Sequence, residues 1–233
     1  GGKDRSVKQK DPVTGEVVTV VTMSKFRETA AAPPYNIDLT PDQSESIVNL
    51  YRTTYPEVPR MWAAMEEAFI AAIRYDQVVT WGKFLFGTAV VGHYRFAWIQ
   101  LPSGRRLWYP EPELEEIKRP YGKTALRATF MGVNPANKQW VRQNTWGGTI
   151  TENVTQGVAA DLLTGAMKRV ESFGFEVILS VHDEVVAEGP VTLDPQVFHK
   201  AMVGPLPAWA DGLPIECESQ IMRRYGKEGT PIK

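Results

Sequence analysis

The stretch Phe175–Glu188, FEVILSVHDEVVAE, constrains this chain more than any other. Two β-branched apolar runs, Val177–Val181 and Val185–Ala187, flank His182-Asp183-Glu184. Short runs of this kind read as buried strands. The gap between them leaves room only for a tight turn, so the pair reads as a β-hairpin with its polar residues at the tip. Asn-Gly or Asp-Gly is the usual filler of such a turn. Here an imidazole and two adjacent carboxylates take its place. Negative charge between strands expected to be buried is costly unless positive charge meets it, and a divalent metal is the obvious candidate. A solvated hairpin turn is the plainer alternative, and the tripeptide alone does not separate the two.

Residue usage narrows what such a metal could be. Cys217 is the single cysteine, which excludes an internal disulfide and a multi-cysteine zinc site and fits a reducing compartment. His93, His182 and His199 are too widely spaced to suggest a histidine-rich site. Oxygen ligands, and hence magnesium, manganese or calcium, are the remaining expectation. The formal net charge of −1 gives no global field toward nucleic acid, so any such face must be local. No apolar run approaches a membrane span and the chain opens on a polar segment, so no membrane partner is expected. The Gly1-Gly2 start suggests a processed or excised piece, or a cloning scar. A length of 233 residues allows one large domain or two small ones.

Along the chain, Lys3, Arg5, Lys8 and Lys10 precede a turn signal at Asp11–Gly15 and a β-branched run, Glu16–Val21. Residues 1–25 therefore read as a basic arm or edge hairpin. Thr40-Pro41-Asp42-Gln43 is a helix start with a capping box, and the helix is expected to reach Thr54 with Ile47, Leu50 and Tyr51 buried. Pro56 and Pro59 break it. A second helix runs to about Arg74 with a core stripe of Met61, Trp62, Met65 and Phe69. Strands follow at Phe84–Val91, Arg95–Leu101, Arg106–Tyr109 and Ala125–Val133, with a turn at residues 102–105, an acidic surface segment at Glu111–Glu116 and a loop at Asn134–Lys138. The longest helix spans about Thr149 to Phe173. Along it, Glu152, Asn153 and Gln156 fall at i, i+1 and i+4 and share one face, kept low by Gly157, Ala159 and Ala160. An amide-bearing low face lets something bulky lie close; a solvated helix face is the alternative. A helix at Asp194–Met202, a loop marked by Pro205, Pro207 and Gly212, a strand at Ile215–Met222 and a basic cluster at Arg223–Lys227 complete the chain. The expected fold class is α+β.

Three groups of residues together are recognisable: Thr145-Trp146-Gly147-Gly148, then TENVTQGVAADLL from Thr151 to Leu163, then Val181-His182-Asp183-Glu184. In combination they resemble the C-terminal palm of a family A DNA polymerase of the phage or prophage type. Tyr51-Arg52, Tyr55-Pro56, Trp62, Leu101–Arg105 and Leu213–Lys227 fit the same group, so the resemblance covers roughly residues 25 to 227. It implies a palm-type antiparallel sheet packed on long helices with part of the fingers: residues 26–76 as a helical segment from the fingers side and 77–233 as the palm. It implies that His182-Asp183-Glu184 is motif C. Asp183 would bind two catalytic Mg2+ ions together with a second aspartate from motif A. Glu184 would support that metal site, and His182 would lie against the primer terminus. Gln156, Asn153, Glu152 and Arg142 would contact DNA. Implied partners are primer-template DNA and deoxynucleoside triphosphates, and the implied location is the cytoplasm of a bacterial host or phage-infected cell.

The departures define a further expectation. The chain shows no motif A strand ending in Asp and no motif B helix with Arg, Lys and Tyr, and Thr149 stands where phage relatives tend to carry a basic residue. Since the family order is A, B, C, the chain is expected to begin just after motif B and to need an N-terminal fragment carrying motifs A and B. A non-catalytic DNA-binding module derived from such a palm, and a metal-dependent nuclease, are the alternatives.

Overall fold

Thr40 opens the first helix among the described residues, as its side chain implies. In the computed structural model, residues 5–10, 17–22, 35–118, 124–222, 225 and 229–232 are described, with side chains from residue 35 onward. The chain divides into two compact units, Gly1–Met61 and Trp62–Lys233. The first contains β1 (Arg5–Lys10) and β2 (Val17–Thr22), an antiparallel pair in the register Arg5↔Thr22. It also contains α1 (Pro41–Thr54). Gln43 N donates to Thr40 Oγ1 at 3.2 Å and Thr40 N donates to Gln43 Oε1 at 2.9 Å, the reciprocal capping box. The expected buried side of α1 is corrected: Ile47, Leu50 and Tyr51 are all exposed, Leu50 by 66%. An amphipathic pattern marks a face that favours cover, but it does not say where the cover comes from. The Asp11–Gly15 turn, Lys3, and Arg223, Arg224, Gly226 and Lys227 of the basic cluster lie outside the described residues.

α2 (Glu57–Tyr75) crosses the unit boundary, with Pro59 tolerated in its first turn. Its stripe delivers the core of the second unit: Met65 and Phe69 are fully buried, and Trp62 contributes a half-buried ring. Four antiparallel strands follow in sequential order, β3 (Val79–Trp81), β4 (Phe84–Val91), β5 (Tyr94–Gln100) and β6 (Arg106–Pro110). One face of this sheet buries Phe86, Ala97, Ile99 and Tyr109. Tyr109 links the layers, meeting Phe69 of α2 and Phe130 edge-to-face, each at 5.0 Å between ring centroids.

A second, three-stranded antiparallel sheet comprises β7 (Glu113–Lys118), β8 (Thr124–Val133) and β9 (Trp140–Asn144). One expectation is corrected here: the acidic surface segment at Glu111–Glu116 is mostly strand. The run Trp140–Asn144, to which the sequence reading assigns no element, is strand too. The physical reason is pairing: Arg127 of β8 meets Glu115 at 2.7 Å and Arg142 of β9 meets Glu113 at 2.6 Å, so neighbouring strands neutralise β7.

α3 (Gly147–Ser172) is the longest helix, with Ile150, Val154 and Val170 buried. It feeds β10 (Glu176–Val181) and β11 (Glu184–Glu188), a two-stranded antiparallel sheet. The hairpin is where it was expected, but its burial is corrected. Ile178, Leu179 and Val181 are exposed, because two strands alone cannot cover both of their faces. α4 (Pro195–Val203), N-capped by Asp194, packs against α3. Arg169 of α3 donates to the carbonyls of Ala201 and Met202 at the end of α4, at 2.8 and 3.2 Å. Burial lowers the pKa of that guanidinium. The expected strand at Ile215–Met222 is shortened to β12 (Gln220–Ile221), paired with β13 (Thr230–Pro231). Ile215, Cys217 and Ser219 still turn inward relative to Glu216, Glu218 and Gln220, so the alternation survives where the ladder does not.

Candidate functional site

The site grows from the start of α3. Trp146, the residue before the helix, makes no side-chain cap. Glu66 of α2 takes that role, accepting from Gly147 N at 3.4 Å and placing a carboxylate at the positive helix end. Glycine is required at residue 147 because a Cβ there would sit 1.7 Å from the Trp62 carbonyl oxygen. Trp62 and Trp146 close the same junction edge-on at 5.5 Å. With its start pinned, α3 presents residues 152–156 at a fixed azimuth.

The sequence placed Glu152, Asn153 and Gln156 on one face, and the side chains divide the task. Gln156 donates to Glu152 at 3.4 Å, both being exposed. Asn153 instead turns inward and donates to the Tyr109 hydroxyl at 3.2 Å. Burial raises the Tyr109 pKa, opposed by that hydrogen bond, so the phenol stays protonated in the neutral range. Asn153 and Gln156 line one wall of an open cleft whose other wall is β6, through Arg106, Leu107, Trp108 and Tyr109. Arg106 and Trp108 carry no motif; only the alternation within RLWYP could have pointed to them.

Below the cleft the turn between β5 and β6 is clamped to α3. Arg105 Nε meets Asp161 Oδ1 at 2.5 Å and Arg105 Nη2 donates to the Gly157 carbonyl at 2.7 Å. Ser103 donates to the other Asp161 oxygen. Arg142, expected on DNA, is held inside the β7–β9 sheet. It donates to the Glu111 carbonyl at 3.0 Å, to Thr129 at 3.2 Å and to Glu113 at 2.6 Å.

The hairpin tip is a two-residue turn, His182-Asp183, closed by the pair Val181↔Glu184. His182 sits at φ +55°, a left-handed conformation where glycine is usual. His182, Asp183 and Glu184 are all exposed. Glu184 is engaged by a residue the sequence did not mark for this role: Tyr225 donates to its Oε2 at 3.0 Å. That hydrogen bond is the first cause of a raised Tyr225 pKa. Two adjacent carboxylates offer the oxygen donors a hard cation such as Mg2+ prefers. No group of three or more His, Cys, Asp or Glu side chains that could hold a metal comes together among the described residues. The donors present thus fit one part of a magnesium site.

Fold and site define an α+β chain that displays two carboxylates on a hairpin and an amide-bearing helix face beside a sheet. No helix among the described residues is long and apolar enough to cross a membrane. In sequence, the chain is a distant homologue of part of the DNA polymerase of Bacillus phage SP02. The two are 32% identical over 193 residues, 83% of this chain and 29% of the phage protein. The chain therefore spans less than a third of that relative's length. No protein-family model matches it. No solved structure matches it either.

Proposed function

We propose that this chain is the C-terminal palm portion of a family A DNA polymerase, bearing motif C, and that it serves DNA-templated nucleotidyl transfer with a partner fragment supplying motifs A and B. The observation that carries this reading is the 32% identity to a phage DNA polymerase across 83% of the chain. The carboxylate pair at the hairpin tip, Asp183 and Glu184, supports it. On this reading residues 1–25 form a basic arm, 26–76 belong to the fingers side and 77–233 to the palm.

Asp183, with Glu184 beside it, would hold Mg2+ jointly with the aspartate of motif A. Magnesium, when bound, supplies activation of the primer 3′-hydroxyl and charge neutralisation at the leaving pyrophosphate. The chain's own part is positioning. His182 lies against the primer terminus. Gln156, oriented by Glu152, faces the minor groove of the newly formed pair, where acceptors are nearly the same for every correct pair, and Asn153, bonded to the Tyr109 hydroxyl, lines the same cleft. A copying enzyme needs that indifference to sequence. Arg142, paired with Glu113, braces the sheet beside the DNA rather than adding a free charge to it. Primer-template DNA and deoxynucleoside triphosphates are the substrates, met in the cytoplasm of a bacterial or phage-infected cell.

Primer extension with the chain alone, and with an added fragment carrying motifs A and B, tests this. Extension is expected only in the mixture, and Asp183→Ala should abolish it while DNA binding persists. Robust synthesis by the chain alone would sink the split arrangement. Lost DNA binding with normal chemistry in Asp183→Ala would sink the assignment of Asp183. DNA binding without extension in any mixture would leave a non-catalytic binding module.

A further inference from the structure

The sheet β3–β6 has two unlike faces. Cross-strand partners share a face, so Gly87, Trp98 and Trp108 lie in one row across β4, β5 and β6, with Phe96 and Arg106 on the same side. This is the face opposite the buried Phe86, Ile99 and Tyr109. The Trp98 ring lies flat over β4, because Gly87 has no side chain there; a Cβ would fall 2.2 Å from the ring. On the Trp98 ring sits the Arg106 guanidinium, 4.1 Å from its centroid and 5.9 Å from that of Trp108. Phe96 braces Trp108 edge-on at 5.9 Å. Trp108 is 46% exposed despite these contacts. Arg106 donates to Gln100 and makes no ion pair among the described residues.

From this arrangement we infer that the outer face of the sheet is a stacking platform for single-stranded nucleic acid. Trp108 takes a base, Arg106 takes a phosphate, and Gln156 offers an amide across the cleft. Two observations and one principle carry it. The aromatic rings are held in place before any ligand arrives, which lowers the cost of ordering them. Among the described residues the guanidinium pairs with no carboxylate, so an anionic ligand complements it. Stacking on a ring needs a free base face, which a single strand has and a duplex hides. The inference rests on the polymerase reading only in its biological sense, as the place for an unpaired template.

The test is fluorescence anisotropy of the intact chain with a labelled oligothymidylate and with a blunt duplex of equal length, for the unsubstituted chain, Trp108→Ala, Trp108→Phe and Arg106→Ala. Tighter binding of the single strand is expected. Loss of one stacked base weakens binding roughly 5- to 150-fold, so Trp108→Ala should fall in that range while Trp108→Phe retains most of the affinity. Arg106→Ala should lower the slope of log affinity against log salt by about one. Preference for the blunt duplex would overturn the platform, as would Trp108→Ala binding like the unsubstituted chain. So would a dimer in sedimentation that Trp108→Ala dissolves, since the face would then serve a second copy. If extension by the reconstituted mixture depends on Asp183 while Trp108 proves irrelevant to single strands, the platform alone fails. If Trp108-dependent binding is found without extension, the polymerase reading alone fails.

Discussion

Tyr225 donates its hydroxyl proton to Glu184 at 3.0 Å, tying a residue near the C-terminus to the carboxylate that follows the hairpin turn. The bond needs a protonated phenol, and the neighbouring carboxylate disfavours the phenolate, so the Tyr225 pKa is raised. The sign of the linkage follows. A group whose folded pKa exceeds its unfolded value contributes stability below the unfolded value, near 10 for tyrosine, and loses that contribution as pH rises through the folded one. The window is therefore alkaline, with no effect near neutrality. Ultraviolet titration of phenolate should show one tyrosine ionising at lower pH in Glu184→Gln than in the unsubstituted chain, and Tyr225→Phe should remove that component. An unchanged titration in Glu184→Gln would show that the contact does not persist in solution.

The Arg105–Asp161 pair predicts a stability effect in a place no catalytic reading requires. Asp161 accepts from Arg105 and Ser103, and its side chain is largely shielded while Arg105 is half exposed. Hydrogen bonds to charged groups contribute about 1.5–3 kcal/mol, and the exposed partner favours the lower end. Asp161→Ala is expected to cost about 1–2 kcal/mol in urea unfolding. Arg105→Lys should recover only part, since lysine cannot reach both Asp161 and the Gly157 carbonyl. Full stability in Arg105→Lys would contradict the two-pronged contact.

What the sequence disclosed follows a physical division. Local chemistry was legible: the Thr40–Gln43 box, the Met65 and Phe69 stripe, the Asp194 cap and the turn at His182-Asp183 each depend on residues a few positions apart. Information carried by distant neighbours was not. β7 looked like solvated acid because Arg127 and Arg142 reach Glu115 and Glu113 from strands 12 and 29 positions away. Burial of β10 and of α1 was over-read because an apolar run states only a preference for cover. At the site, the spacing correctly joined Glu152 to Gln156, yet Asn153 was claimed by Tyr109, 44 positions earlier. Trp98 and Trp108 acquire meaning only once β5 and β6 are in register.

Gly147 tests how tightly α2 and α3 are joined. A methyl group there meets backbone, the Trp62 carbonyl, rather than a side chain that could swing aside. Overpacking typically costs about 1–3 kcal/mol, and an unyielding backbone partner favours the upper part of that range. Gly147→Ala should lower the urea midpoint accordingly and change tryptophan fluorescence, because the Trp62–Trp146 contact sits at the same junction. A substitution that leaves both untouched would mean the helices meet elsewhere.

His182 sets turn geometry against chemistry. At φ +55° it occupies left-handed backbone, which costs a residue with a side chain about 1–2 kcal/mol. Glycine removes that cost but adds roughly 0.5–1 kcal/mol of unfolded-chain entropy. The difference runs from about zero to about 1.5 kcal/mol in favour of glycine. His182→Gly is therefore expected to raise the urea midpoint slightly rather than lower it. If the imidazole lies against the primer terminus, the same substitution should slow primer extension in the reconstituted mixture, so stability and activity move in opposite directions. A clear loss of stability would show that the imidazole supports the hairpin itself, and unchanged extension would remove His182 from the proposed site.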